Sequence, residues 1–234
     1  MKSYSLKKGF SWPAILFGVI VFTATLLIFT PLILHPYGGN HDRTKALANA
    51  KSVVGGLLAF KSDKGAFPCK ATREILEDEG IDFLPPGNNA NAYLAQLVAT
   101  DNIDTEKAFF APGVIGAKEG DNIKGSADKL LSRGENSFAY IMAPDEKPLT
   151  DTRDSTPLVL APVRGINEQD PTFDGGPYGD KFIMGLTDGS SVAGDLDENG
   201  HALAPLGGSL FQSGPDSLFG NDIPVVKYPL FRKR

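Results

Sequence analysis

Between Ala14 and Leu34 the chain reads AILFGVIVFTATLLIFTPLIL, a run without a single charged side chain. At 1.5 Å rise per residue, a helix of this length crosses the roughly 30 Å hydrocarbon core of a bilayer, so the pattern predicts a transmembrane helix over residues 14–35. A cleaved secretory signal has a shorter apolar core, about 7–15 residues, followed by a small-x-small exit. Here the run continues into His35-Pro36-Tyr37-Gly38-Gly39-Asn40, which offers no such exit. Lys2, Lys7 and Lys8 form a basic flank, which keeps residues 1–13 as a leader in the cytoplasm and directs the remainder outward. The expectation is a single-pass protein of the cytoplasmic (inner) membrane, with its C-terminal domain in the periplasm or outside.

After that run the periodicity changes. From Asp42 to Lys64, Leu47, Ala50, Val54, Leu57 and Lys61 recur at spacings of three and four, with Ala46, Val53 and Leu58 beside them. This predicts an amphipathic helix over 42–64, capped by Asp42 and continuous with the membrane helix except for bends at Pro31 and Pro36. Gly55-Gly56 lowers helix propensity by roughly 1 kcal/mol per residue, so a close neighbour is expected there. Gly65 and Pro68 end the helix. Ala71–Gly80 predicts a short helix with Ile75 and Leu76 inward. A helix capped by Asn88 or Asn89 follows over Ala90–Thr100, with Tyr93, Leu94, Leu97 and Val98 on one side. Lys107–Ala111 reads as a short aromatic strand, and Val114–Gly134 as a surface loop. Strands are then expected at Phe138–Met142, Pro157–Val163, Lys181–Thr187 and Ser190–Leu196, the last two joined by a hairpin at Asp188-Gly189.

These elements predict an α+β fold in which the amphipathic helix packs on a small antiparallel sheet of about four strands. The outward domain spans 36–206, and 207–234, rich in Gly, Pro and Ser, reads as an irregular C-terminal tail. The order Lys-Lys-Gly-Phe, long apolar helix, amphipathic helix, then Phe60-Lys61-Ser62-Asp63-Lys64-Gly65-Ala66-Phe67-Pro68 resembles the type IV pilin and type II secretion pseudopilin superfamily, the major pseudopilin above all. The likeness covers about the first 70 residues. It implies peptidase cleavage between Gly9 and Phe10, the same helix-on-sheet architecture, and partnership with other pilin-like subunits or secretion-assembly proteins as well as the lipid bilayer. The family carries a glutamate at the fifth mature position, where this chain has Ala14, and this departure fits an accessory protein, or a relative that kept the anchor and lost the assembly signal, better than a filament's main subunit.

Composition narrows the function. Twenty-eight acidic residues against 23 Lys and Arg give a net charge of −5, with no basic footprint for nucleic acid. Cys69 is the single cysteine and, following Phe67-Pro68, is expected to be buried. His35, His41 and His201 have no zinc spacing, and no serine lies in a nucleophile elbow. Asp195, Asp197 and Asn199 with Gly200 form the first half of a calcium loop in which the His201 carbonyl could also serve. Leu206 stands where the bidentate glutamate belongs, so a calcium ion would need Asp170, Asp174 or Asp180 as well. Calcium binding is a known property of major pseudopilins. The other reading of this segment is an Asp/Asn/Gly turn closing a further hairpin. The sequence therefore predicts a non-catalytic membrane-anchored subunit. The alternative is a membrane-tethered ligand- or calcium-binding module or, further off, an enzyme whose site lies in loops 114–134 and 167–179.

Overall fold

The computed structural model describes residues 38–150, 152–153, 155–164, 167, 171–205, 207–212, 214 and 217–231. The chain divides into two units, Met1–Tyr37 and Gly38–Arg234, and the described residues belong to the second. The apolar segment Ala14–Leu34, the prolines at 31 and 36, and the Gly9–Phe10 bond lie outside them. No helix among the described residues is long and apolar enough to cross a membrane.

The second unit is α+β, with one five-stranded antiparallel sheet. Helix α1 runs Gly38–Lys64, so Asp42 lies within it rather than capping it. Its buried side chains are those of Ala46, Ala50, Val53, Val54, Leu57 and Phe60, and Gly56 is buried beside them. The stripe is thus turned slightly from the expected one, leaving Leu47 and Leu58 at its margin. Lys61 is also marginal, its ammonium 4.6 Å from the centre of the Phe67 ring. Gly65, at φ 79°, closes the helix by donating its N–H to the Lys61 carbonyl at 2.9 Å, the left-handed stop that the sequence predicts.

Helix α2, Lys70–Asp78, begins at Cys69, whose sulfur accepts the Thr72 N–H at 3.5 Å while the Thr72 hydroxyl accepts the Cys69 N–H. Leu76 is buried as expected, whereas Ile75 is 44 % exposed. Adjacent helical residues point about 100° apart, so a helix that buries one flank takes in Leu76 and leaves Ile75 out. Helix α3, Ala90–Ala99, starts at Asn89, whose side chain accepts the Ala92 N–H. It is buried all round from Ala90 to Val98, not on one side only, because chain packs on every flank of it. Instead of a strand at Lys107–Ala111, a 3-10 turn forms over Glu106–Phe109, capped by the Thr105 hydroxyl.

The strands are β1 (Ala139–Met142), β2 (Pro157–Ala161), β3 (Lys181–Leu186), β4 (Ser191–Asp195) and β5 (Val225–Lys227), in the order β4-β3-β2-β1-β5. The β3–β4 hairpin turns at Asp188-Gly189 as predicted, Gly189 taking φ 82°. The fifth strand corrects the expectation of about four strands and of a wholly irregular tail, since Val225, Val226 and Lys227 pair with Met142, Ile141 and Tyr140. Three residues are too few to register as a strand until β1 supplies their partners.

Helix α1 crosses the sheet at Gly185, where a Cβ would run into Val54 Cγ2 and stand 2.9 Å from Val159 Cγ2. Tyr140, Val159 and Gly185 are cross-strand neighbours and therefore share this face. Tyr140 donates its hydroxyl to the Pro68 carbonyl at 2.9 Å and lies 6.1 Å from the Tyr93 ring of α3. On the opposite face Phe182 meets Phe173 at 4.9 Å between ring centres, and the line continues through Phe211 to Phe219. Irregular chain carrying aromatics thus packs on the side of the sheet opposite α1.

Candidate functional site

The segment expected either to hold calcium or to turn is a closed hairpin. Leu196 bridges Ala202, and the Asp197 N–H donates to the His201 carbonyl at 3.0 Å. Asp197 Oδ1 accepts the N–H groups of Asn199 and His201 at 2.9 and 2.8 Å. Asp197 Oδ2 faces His201 Nδ1 at 3.2 Å. The His201 N–H and then desolvation, the Asn199 N–H and the imidazole act on this carboxyl, with a net result below the usual aspartate range. Asp195 is turned away and engages Lys181 across the strand pair. Asp195, Asp197, Asn199 and His201 are therefore brought onto one hairpin, in which the Asp197 carboxylate serves the hairpin's own amides and imidazole and the Asp195 carboxylate serves Lys181. Asp174 Oδ1 accepts the Gly176 N–H, and Asp170 lies outside the described residues. His41 sits exposed near the start of α1, and a shallow depression of about 390 Å³ lies beside His201.

Among the described residues, the place where three acidic ligand atoms come within 4.8 Å of one another is a different one: Glu106, Asp121 and Glu135. Sequence reasoning passed over it. Thr105 starts the 3-10 turn that carries Glu106, and the apolar residues Ala108 and Phe109 beside it are drawn into the core. The glutamate goes in with them and is 0 % exposed. Its Oε1 accepts the Leu131 N–H at 2.6 Å and its Oε2 the Asn122 N–H at 2.7 Å. The Asn122 side chain returns a bond by accepting the Glu106 N–H at 2.8 Å. Gly120 passes directly over the same residue, and a Cβ there would overlap Glu106 Cβ.

Glu135, also 0 % exposed, accepts the Ser132 N–H at 2.7 Å and pairs with Lys118 at 2.6 Å. Burial pushes the Glu106 carboxyl above the usual glutamate range; the Leu131 amide opposes this, and the Glu135 charge reinforces it. Loop 114–134, expected to lie open on the surface, is thus wrapped around buried carboxylates. Nothing in the sequence marked them: Glu106 stands between Asp104-Thr105 and Lys107, Glu135 between Gly134 and Asn136, and a glutamate in such polar company is usually solvated.

A second polar junction lies on α3. Asn91 donates to the Leu131 and Ser132 carbonyls at 2.7 and 3.2 Å and accepts the Leu230 N–H at 2.9 Å, so one side chain joins helix, loop and C-terminal segment. Gln96 donates to the Cys69 carbonyl at 3.1 Å and accepts the Thr72 hydroxyl at 2.7 Å. No buried side-chain nitrogen or oxygen among the described residues lacks a partner. These groups hold the fold together. Comparison with protein-family models, curated proteins and solved structures finds no match to this chain.

Proposed function

We propose that this chain is a non-catalytic, single-pass membrane subunit of a pilin-like or type II secretion-like assembly, acting through its N-terminal helical region and through contacts of its α+β head. The observation that carries the reading is α1. A 27-residue helix follows an apolar run in the sequence, buries one stripe on an antiparallel sheet and ends in the phrase Phe60 to Pro68. Apolar helix, amphipathic helix and small sheet in that order suit a subunit that associates side by side within a bilayer, where small and polar residues such as Gly18, Thr23 and Thr25 allow close approach. The buried polar side chains of the head, each of them partnered among the described residues, suit a scaffold better than a reaction centre.

The test is the intact mass of the protein extracted from membranes, with alkaline carbonate as a companion. Retention in the carbonate pellet is expected. A species beginning at Phe10 places the protein in the processed pilin pathway, and intact Met1 leaves a simple signal anchor. Release of the full-length protein by carbonate would overturn the membrane assignment. A rise in melting temperature with calcium that Asp197→Ala removes would favour the tethered calcium-binding module instead.

A further inference from the structure

We propose that the turn Val114–Ala117, with Pro177 near it, is a membrane-contacting surface of the head, and that Ile115 at its tip seats in the interfacial layer of a phospholipid bilayer. The inference rests on the membrane reading above and adds to it a contact that the head itself makes with lipid.

The turn holds an apolar side chain out in solvent. The Ala117 N–H donates to the Val114 carbonyl at 3.2 Å, and Gly116 takes φ 84°, so Ile115 and Gly116 form the tip. Val114 is only 8 % exposed and supports the turn from below, whereas Ile115, at 57 %, is the most exposed large hydrophobic side chain among the described residues. No residue from Ala111 to Ala117 carries a charge. Gly113 extends this uncharged surface by packing on Pro177, where a Cβ would stand 2.8 Å from the proline Cβ. A lone surface isoleucine needs no explanation. One raised on a tight turn amid glycine, alanine and proline makes a small apolar wedge, the shape that enters an interface.

The place of this turn on α1 names the occupant. A Cβ at Gly113 would lie 3.7 Å from Asp42 Oδ2, and on the other side of the turn Glu119 pairs with Lys45 at 2.5 Å. Asp42 and Lys45 both belong to the beginning of α1. Tyr178 ties the segment down by donating to the Pro112 carbonyl at 2.8 Å. The uncharged run read as a membrane helix ends at Leu34, eight residues before Asp42. Fully extended, eight residues reach about 29 Å at most, so Asp42 and the turn against it stay on a short tether to the bilayer. The far end of α1 does not. Lys64 is separated from Asp42 by 22 residues of helix, about 33 Å. It pairs with Glu79 just beyond α2, so Ile75, 44 % exposed, belongs to that far end. Arg43, held by Asn40 at 3.1 Å, adds a cation for lipid phosphate at the near end.

Tryptophan depth in the full chain tests the proposal, in vesicles of phosphatidylcholine and phosphatidylglycerol with plain or brominated acyl chains. Trp12 is the only tryptophan, so Trp12→Phe clears the background, and Ile115→Trp is compared with Ile75→Trp. The indole at position 115 should lose emission to the brominated chains, and the one at position 75 should not. Should Ile115→Trp fail to fold, Ile115→Cys in a Cys69→Ser background, carrying a nitroxide, gives the same reading from collisions with oxygen against those with a water-soluble nickel complex. An unquenched indole at 115, or equal quenching at both positions, would overturn the inference. So would an indole at 115 shielded from aqueous iodide but untouched by bromine, which gives the surface to a protein partner. Carbonate extraction separates this contact from the anchor. Protein retained in the pellet with an unquenched 115 keeps the anchor and loses the contact; full-length protein released by carbonate with a quenched 115 loses the anchor and keeps the contact.

Discussion

Glycines 55 and 56 are neighbours in α1 with opposite environments, and this makes their substitutions informative. A Cβ at Gly55 meets nothing within 4 Å, whereas one at Gly56 runs into the Ile103 side chain and stands 3.2 Å from the Asn102 carbonyl oxygen. Gly55→Ala should therefore gain the full helix-propensity difference, about 1 kcal/mol, and raise the melting temperature. Gly56→Ala gains the same term but must displace Ile103, so its unfolding free energy in urea should lie below that of Gly55→Ala by about 1–3 kcal/mol. The sequence marked this pair as a place of close packing, but could not say which of the two residues is approached. Cys69 was legible as a buried thiol, yet its use as the cap of α2 was not, because sulfur is a weak acceptor and an uncommon N-cap. Being 1 % exposed, it should resist an aromatic disulfide reagent in the native protein and react once urea unfolds it.

The hairpin from Asp195 to Ala202 shows an element closing on its own hydrogen bonds. Asp197 accepts two amides from its turn, and its lowered pKa means that the contribution is present above the ordinary aspartate pKa of about 3.9 and lost as pH falls through the depressed folded value. In an acid titration followed by NMR, the Asn199 and His201 amide resonances should shift together at a pH below that of a free aspartate. Asp197→Asn should remove that step. Half of a calcium-loop pattern and an Asx turn use the same residues, so sequence spacing could not separate them. Helix α3 offers a second case. Asn91→Ala would leave the Leu230 N–H and two loop carbonyls without their partner, at about 2 kcal/mol. The C-terminal segment should loosen first, seen as faster limited proteolysis after β5 with the rest of the head intact.

Taken whole, the second unit is a sheet covered on one face by helices and on the other by aromatic side chains from irregular chain. If the protein associates through its helical region, the solvent side of α1, which exposes Ala48, Ser52, Gly55 and Ala59, is the surface to probe. Ala48→Cys in a Cys69→Ser background should then give a disulfide-linked dimer in membranes, while a cysteine replacing buried Ala50 should not. The end of α1 at Gly65, the start of α3 at Asn88 or Asn89 and the turn at Asp188-Gly189 were readable from the amino-acid order. They depend on residues within one or two turns of each other. The direction of Ile75, the addition of β5 to the sheet and the line of phenylalanines from 173 to 219 needed the folded chain, because each is set by partners far away in sequence. Desolvation is the extreme case: nothing about Glu106 or Glu135 as residue types marks them for burial, and only the wrapping of loop 118–135 takes their charges out of water.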